Sequence, residues 1–361
     1  MKWKRNKFLM FFIILLAMIS GSMINTLDAK AVSGEYLLKP MGGSDGVDVS
    51  SGSYMVTGTP GQEMTLKLMV QNKSSDTRKF MYMVNTAYTN DAGQLSYDKS
   101  KVTDPSLKVQ TASTASPRKQ EFTVPGDTAA TIAFKIIVPK KSFKGTIMGG
   151  VTVYPYKEKA KGTVGSNGTL IKNKFSYSIP IQIHQKDADS EDAAYSINAV
   201  RPSTVTSSDG AKPGVKANIH NSKNSYTGSL SAKAVVTKKG DKDFKITNTD
   251  SNQQLAPTTN YDYSISWGKK TLQAGSYHLK MTYTAPGGLK SWTLNKDFTI
   301  TNNDAAKYNK LAGIKPNYLW LWILLGVLAL AIILGLGVYL GKRNNKNNNN
   351  NGGNTTRRRR R

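Results

Sequence analysis

Apolar and polar residues alternate one by one along most of this chain, and that period of two commits it to strands rather than helices. Met64-Thr65-Leu66-Lys67-Leu68-Met69-Val70 alternates before a polar turn at 72–75. Phe80-Met81-Tyr82-Met83-Val84 runs on to Tyr88, and Asn90-Asp91-Ala92-Gly93 has the composition of a turn. Thr131-Ile132-Ala133-Phe134-Lys135-Ile136-Ile137-Val138 is stopped by Pro139, and further strands are expected at 147–156 and 175–183. A second series follows at 193–200, 215–219, 230–236, 261–267, 276–283 and 292–300. Short strands at this spacing, separated by Gly, Pro, Asn and Asp, predict an all-β protein of two tandem immunoglobulin-like β-sandwich domains. The chain has no cysteine, so no disulfide supports either domain and each depends on its apolar core.

Between the two series, residues 157–173 carry Gly162, Gly165 and Gly168 and almost nothing apolar. The stretch reads equally as a linker or as a long exposed hairpin loop. Charge replaces alternation at 185–192, which places the junction there. The expected domains are 32–186 and 187–303, with a stalk at 304–317.

Two uncharged apolar runs bracket these domains. The first, 8–19, follows Lys2, Lys4, Arg5 and Lys7, and its twelve residues are too few for a bilayer core of about 30 Å. With Ala29-Lys30-Ala31 beyond it, residues 1–31 read as a signal peptide cleaved after Ala31. The second run, 318–340, reaches roughly 35 Å as a helix, enough to span. Lys342 and Arg343 follow it, so the positive-inside rule puts the Asn- and Arg-rich tail 341–361 in the cytoplasm. Tyr318, Trp320 and Trp322 mark the outer interface. The expectation is a single-pass type I membrane protein held in the lipid by one helix, its domains outside the cell.

The formal net charge of +27 belongs partly to these termini. Residues 32–340 hold 37 basic and 22 acidic side chains, a net +15. Export points away from nucleic acid and toward an envelope rich in carboxylates and phosphate polymers, or else to lysines that merely keep a β-rich surface soluble. The arginines at 357–361 serve either as topological anchors or as contacts to anionic lipid.

No catalytic set is visible. His184, His220 and His278 are far apart, and none forms a metal-type pair. There is no G-x-S-x-G elbow, S-x-x-K motif or P-loop. Carboxylates are scarce and sit mostly in turns, as at Asp91, Asp127 and Asp241. We expect no enzyme activity, no cofactor and no metal. The unusual string is Gly145-Thr146-Ile147-Met148-Gly149-Gly150-Val151. Adjacent glycines weaken a strand, so they mark either a bend or tight packing, or a close approach by a ligand. Gly145, Met148, Gly149 and Gly150 are the candidate contact residues.

Taken in order, Tyr54, Pro60-Gly61-Gln62, Val70-Gln71-Asn72-Lys73-Ser74, Asn85-Thr86-Ala87-Tyr88-Thr89-Asn90, Asp104-Pro105-Ser106-Leu107 and the Gly149-Gly150 string resemble the N-terminal domain of the WxL-interacting proteins of Gram-positive bacteria. Ala256-Pro257-Thr258-Thr259-Asn260-Tyr261, Ala274-Gly275-Ser276-Tyr277, Trp292 and Phe298-Thr299-Ile300 resemble the same family's second domain. Met148 stands where the family usually has Leu, and the Arg-rich terminus has no counterpart in the resemblance. The resemblance implies a peptidoglycan-binding first domain, a host-binding second domain and secreted WxL-domain surface proteins as partners, with a host extracellular-matrix protein as a further one. A scaffold or adhesin follows from it; a chaperone-like or strand-donating module is the competing reading.

Overall fold

The computed structural model describes residues 35–158, 162–164, 170–172, 175–207, 210–315 and 318–348. The amino-terminal apolar run, its cleavage site and the terminal arginines lie outside the described residues. The chain divides into two compact units. The first comprises the described part of Met1–Tyr195 together with His220–Gly228 and Gln254–Tyr261. The second comprises Ser196–Ile219, Ser229–Gln253 and the described residues from Asp262 onward.

Two sheets make the first sandwich. One has the order β1 (Tyr36–Gly43), β4 (Glu63–Asn72), β10 (Ala129–Ile137), β8 (Ala115–Ser116). The other has the order β2 (Val47–Asp48), β3 (Tyr54–Gly58), β14 (Tyr177–Gln185), β11 (Ile147–Pro155), β5 (Arg78–Thr86), β9 (Lys119–Val124). Alternation does what it predicts here. Met64, Leu66, Leu68 and Val70 of β4 are fully buried, while Lys67 between them is exposed. They meet Tyr54, Phe80, Tyr82, Val84, Val151, Val153, Ile181 and Ile183 of the opposite sheet in one core. Two-residue ribbons β6 (Tyr88–Thr89) and β7 (Leu95–Ser96) pair with each other, as do β12 (Gly162–Val164) and β13 (Leu170–Lys172). That last pair gives the polar stretch a hairpin pairing.

The second sandwich has one sheet of order β15 (Tyr195–Ser207), β16 (Gly210–Asn221), β19 (Thr259–Ser266). Its other sheet has the order β18 (Asp241–Leu255), β17 (Thr227–Lys238), β20 (Gly275–Thr284), β21 (Ser291–Ile300). Trp267 is buried at its centre, edge-on to Tyr277 at 6.1 Å, and Tyr277 stacks on Phe298 at 5.4 Å.

Among the described strands of five residues or more, four were not legible from alternation. β1 and β3 contain or adjoin Pro and Gly, β9 is short, and β18 is so polar that few of its side chains are buried. The expected stalk also departs from its reading. Its first part is a helix, α1 (Asn302–Leu311), started by a capping box between Thr301 and Asp304. Asn309 ties that helix to Leu272 by accepting from its N–H at 2.8 Å and donating to its carbonyl at 2.9 Å. Helix α2 (Leu319–Asn348) follows, and Leu319–Leu340 is long and apolar enough to cross a membrane. Tyr318, Trp320, Trp322 and Lys342 are exposed on it or beside it; the Arg343 side chain is outside the described residues.

Candidate functional site

Met148, Gly149 and Gly150 lie in β11, a strand paired on both sides. Gly149 is opposite Ile181 of β14 and Thr86 of β5; Gly150 is opposite Pro180 and Asn85. Successive strand residues face opposite sides, and both sides are crowded here. A Cβ on Gly149 would stand 2.5 Å from the Asn85 carbonyl oxygen and 2.5 Å from Cγ2 of Thr111. On Gly150 it would stand 2.7 Å from the Tyr97 ring. The close approach that adjacent glycines signal is therefore made by the chain's own Thr111 and Tyr97.

Those two residues belong to an excursion between β5 and β9, residues 87–114, which reaches both sides of β11: Tyr97 covers its outer side with Met148, and Thr111 lies on the core side, where Ile147 and Val151 point. Met148 is buried with Ala87, Tyr97 and Ala256, and Leu95 and Tyr226 pack against the group. Thr111 sits in a 3-10 turn (Thr111–Ser113), and its hydroxyl donates to the Met148 carbonyl at 2.7 Å. Asn85 donates to the Tyr97 carbonyl at 2.7 Å, and Arg118 holds Asn85 Oδ1 at 2.9 Å and the Ser100 carbonyl at 2.7 Å. The turn predicted at 90–93 forms, with Asn90 Oδ1 accepting from the N–H groups of Ala92 and Gln94. Gly145 lies apart from the cap, beside the 220–228 segment: its N–H donates to the Asp189 carbonyl at 2.9 Å, and a Cβ there would overlap the Asn224 carbonyl. The structure thus brings Met148, Gly149 and Gly150 against one excursion, Met148 and Gly150 on its outer side and Gly149 on the core side, and buries all four candidate residues.

On the cap's rim, Lys99, Lys101 and Lys108 are exposed. Lys99 Nζ stands 3.8 Å over the Tyr88 ring, whose hydroxyl donates to Asp98 at 2.6 Å. Burial and the Asp98 carboxylate push that phenol up to about 12. The Tyr97 hydroxyl is buried with no hydrogen-bond partner among the described residues. Burial raises its pKa.

Asp104 anchors the other end of the cap, its side chain 1 % exposed. It accepts from Ser106 N–H at 2.9 Å, Ser106 hydroxyl at 2.6 Å and Asn260 Nδ2 at 2.7 Å, and lies 3.1 Å from His220 Nε2. Burial raises its pKa, but the hydrogen bonds from Ser106 and Asn260, with His220 nearby, outweigh it and hold the carboxyl below its usual value. Ser, His and Asp meet here, which invites a comparison with a nucleophile relay. The geometry is not one. Ser106 and Asp104 both address the same ring nitrogen, Nε2, and Ser106 donates directly to the carboxylate, so no imidazole stands between base and orienter. The cluster is a clasp that ties 220 and 260 to the cap. His184 is half-buried beside Thr146 at 2.9 Å, and burial lowers its pKa. His278 pairs with Asp297 at 2.6 Å on the surface of the second sandwich. Among the described residues no group of His, Asp and Glu is arranged to hold a metal.

The model of the WxL-interacting protein peptidoglycan-binding domain matches residues 36–154, and that of the host-binding domain matches 166–310. The chain belongs to the WxL-interacting protein family. Its members' two domains are binding domains, and this chain is a β-rich surface binding protein whose carboxy-terminal apolar helix fits anchorage in the cell envelope. No curated protein matches it. Among solved structures it is similar to a chain of the chaperone–tip adhesin complex of CFA/I fimbriae, at 13 % identity over 73 % of this chain and 97 % of that one, with a TM-score of 0.30. The class 5 fimbriae chaperone CfaA matches at 14 % identity over 73 % and 98 %, with a TM-score of 0.29. The CsuC–CsuE pre-assembly complex of Acinetobacter baumannii gives 9 %, 72 % and 97 %, at 0.30. Overlaps this loose carry no argument about this chain.

Proposed function

We propose that this protein is a non-catalytic scaffold or adhesin, held in the membrane as a single-pass type I protein by Leu319–Leu340, with both sandwiches outside the cell. Tyr318, Trp320 and Trp322 anchor the outer interface, and Lys342 and Arg343 the inner one. The first domain binds peptidoglycan through the cap that rests on Met148, Gly149 and Gly150, with Gly145 fixing the neighbouring segment. The second domain binds a host extracellular-matrix protein, and secreted WxL-domain proteins are its partners at the wall. The observation that carries this reading is the pair of family matches, both to binding domains, spanning almost everything between the expected signal peptide and the membrane helix.

The rim lysines Lys99, Lys101 and Lys108 give the cap the charge to meet wall carboxylates. In a sedimentation assay the full-length protein in detergent micelles pellets with purified sacculi, and part of that binding survives high salt. The triple change K99E/K101E/K108E removes the salt-sensitive part and leaves the fold intact. Pelleting no greater than that of an unrelated basic β-sandwich overturns the proposal.

A further inference from the structure

The first sandwich leaves one strand edge open, and its surroundings specify what pairs with it. β10 has β4 on one side along its whole length. On the other side, among the described residues, only Lys135 and Ile136 are paired, with β8. The chain then leaves this sheet at Pro117 and continues as β9 against β5 in the opposite sheet. Among the described residues, Ala129 through Phe134 therefore have no strand neighbour on that flank.

The open edge presents hydrogen-bonding groups. Asn72 N–H donates to the Thr128 carbonyl, and Ile137 N–H donates to the Thr114 carbonyl on the far side. Bonding direction alternates along an antiparallel strand, so Ala129, Thr131 and Ala133 direct their N–H and C=O groups away from β4. Other edges of this sandwich carry protection of the usual kind: β1 has Lys39 and Pro40, and β9 has Lys119 and Glu121. Residues 129–134 carry neither charge nor proline.

Both faces of the edge are shaped for an added strand. Inward, Ala130 and Ile132 are only partly buried, and so is Phe122 of β9, which stacks on Phe80 at 5.7 Å. Apolar side chains of an incoming strand would complete that seam. Outward, Ala129, Thr131 and Ala133 are small and exposed. Lys67 stands directly across the register from Ala133, and Lys39 lies in the next row, opposite Met69 and so level with Thr131. A methyl group at 133 leaves the Lys67 ammonium free to reach over β10 to the strand beyond.

We propose that β10 accepts an extended strand from another protein, apolar at alternate positions and carrying an acidic residue opposite Ala133. A second copy of this chain is the poorer occupant. Residues 32–340 carry a net +15, so two copies repel, and a six-residue edge buries far less than the roughly 1,000 Å² a stable dimer needs. The inference concerns a protein partner and does not depend on wall binding, which the sacculus assay reads separately.

The test uses full-length protein in detergent micelles and nine-residue peptides of alternating Thr and Val, with the central Thr replaced by Glu or by Lys. The Glu peptide binds about threefold tighter than the Lys peptide, as an exposed ion pair allows, and Lys67→Glu reverses the order. Thr131→Pro removes an edge N–H that β4 does not use and weakens both peptides about tenfold. Because the chain has no cysteine, Ala133→Cys supplies an independent readout. By thiol–disulfide exchange, this variant captures a peptide whose central Cys is activated as a thiopyridyl disulfide, releasing thiopyridone, at least tenfold faster than Thr103→Cys, whose thiol sits at an exposed position on the cap. Absence of peptide binding, equal binding by a folded Thr131→Pro variant, equal crosslinking at 103 and 133, or dimerisation of the Ala133→Cys variant through its new thiol in place of peptide capture each overturn the proposal.

Discussion

The two outer faces of the first sandwich are built on opposite terms. Over β11 the outer face is roofed by part of residues 87–114, where Tyr97 presses on Gly150, while Thr111 of the same excursion presses on Gly149 from the core side; no side chain fits at either position. Over β4 and β10 the sheet is bare among the described residues, with Lys39, Lys67 and Lys135 rising among Ala, Thr and Met. One face tolerates almost no change of volume, and the other tolerates nearly any. The difference shows how one sandwich can hold a shaped surface on one side and keep a strand edge available on the other.

The contrast breaks first at Gly149. Gly149→Val places a Cβ against the Asn85 carbonyl, which cannot move without breaking the pairing with β11, so we expect a loss of about 3 kcal/mol in chemical denaturation. Gly150→Ala meets first the Tyr97 ring, a side chain and not backbone, and costs about half as much. A cap that unfolds at no cost to Gly149→Val would remove the distinction between the faces.

Asp104→Ala comes next. It withdraws the acceptor shared by Ser106, Asn260 and His220 in a buried site, and about 2 kcal/mol is expected from denaturant melts. Asp104→Asn recovers part of that by keeping an acceptor oxygen.

A pH titration gives a smaller signal with a definite sign. Burial lowers the pKa of His184 from its usual 6.5, so the unfolded chain binds the proton more readily than the folded one. Its contribution to stability is complete above pH 6.5 and is lost as the pH falls toward the folded value. His184→Gln flattens this step. A second loss begins at the usual carboxyl value of 3.8, where Asp104 of the unfolded chain takes up a proton while the folded one stays ionised, and it is complete only once the pH passes below the lowered folded value; the exposed Asp48, Asp189 and Asp297 share that window, so only the upper step is diagnostic. The smallest effect is on the bare face. Lys67→Ala and Ala133→Ser change stability by less than about 0.5 kcal/mol, and a larger loss at either would show that this face is covered in solution.

Strands whose buried side chains alternate cleanly were readable in advance. β4, β10, β20 and β21 appear within two or three residues of their expected limits, because each buries one face and wets the other. β18 was not readable, since a strand that buries little has no pattern to show. The glycine pair was legible as a close approach, but what approaches was not. Thr111 and Tyr97 lie 38 and 53 positions from their glycines, and no local rule links them. The Asp104 clasp was equally hidden: His220 lies 116 positions beyond Asp104 and Asn260 a further 40, and no local pattern joins them.

Period-two alternation, the absence of cysteine and the terminal apolar runs were enough to determine the fold class and the expectation of an anchored, exported chain. These are properties of short segments, where side-chain direction and length act locally. Tertiary structure alone decided that the glycines are met from both sides by the 87–114 excursion, that Asp104 is a clasp and not a relay, and that β10 is left with an open edge among the described residues. Each of those depends on which distant residues meet, and burial selects such meetings only when the whole core closes at once.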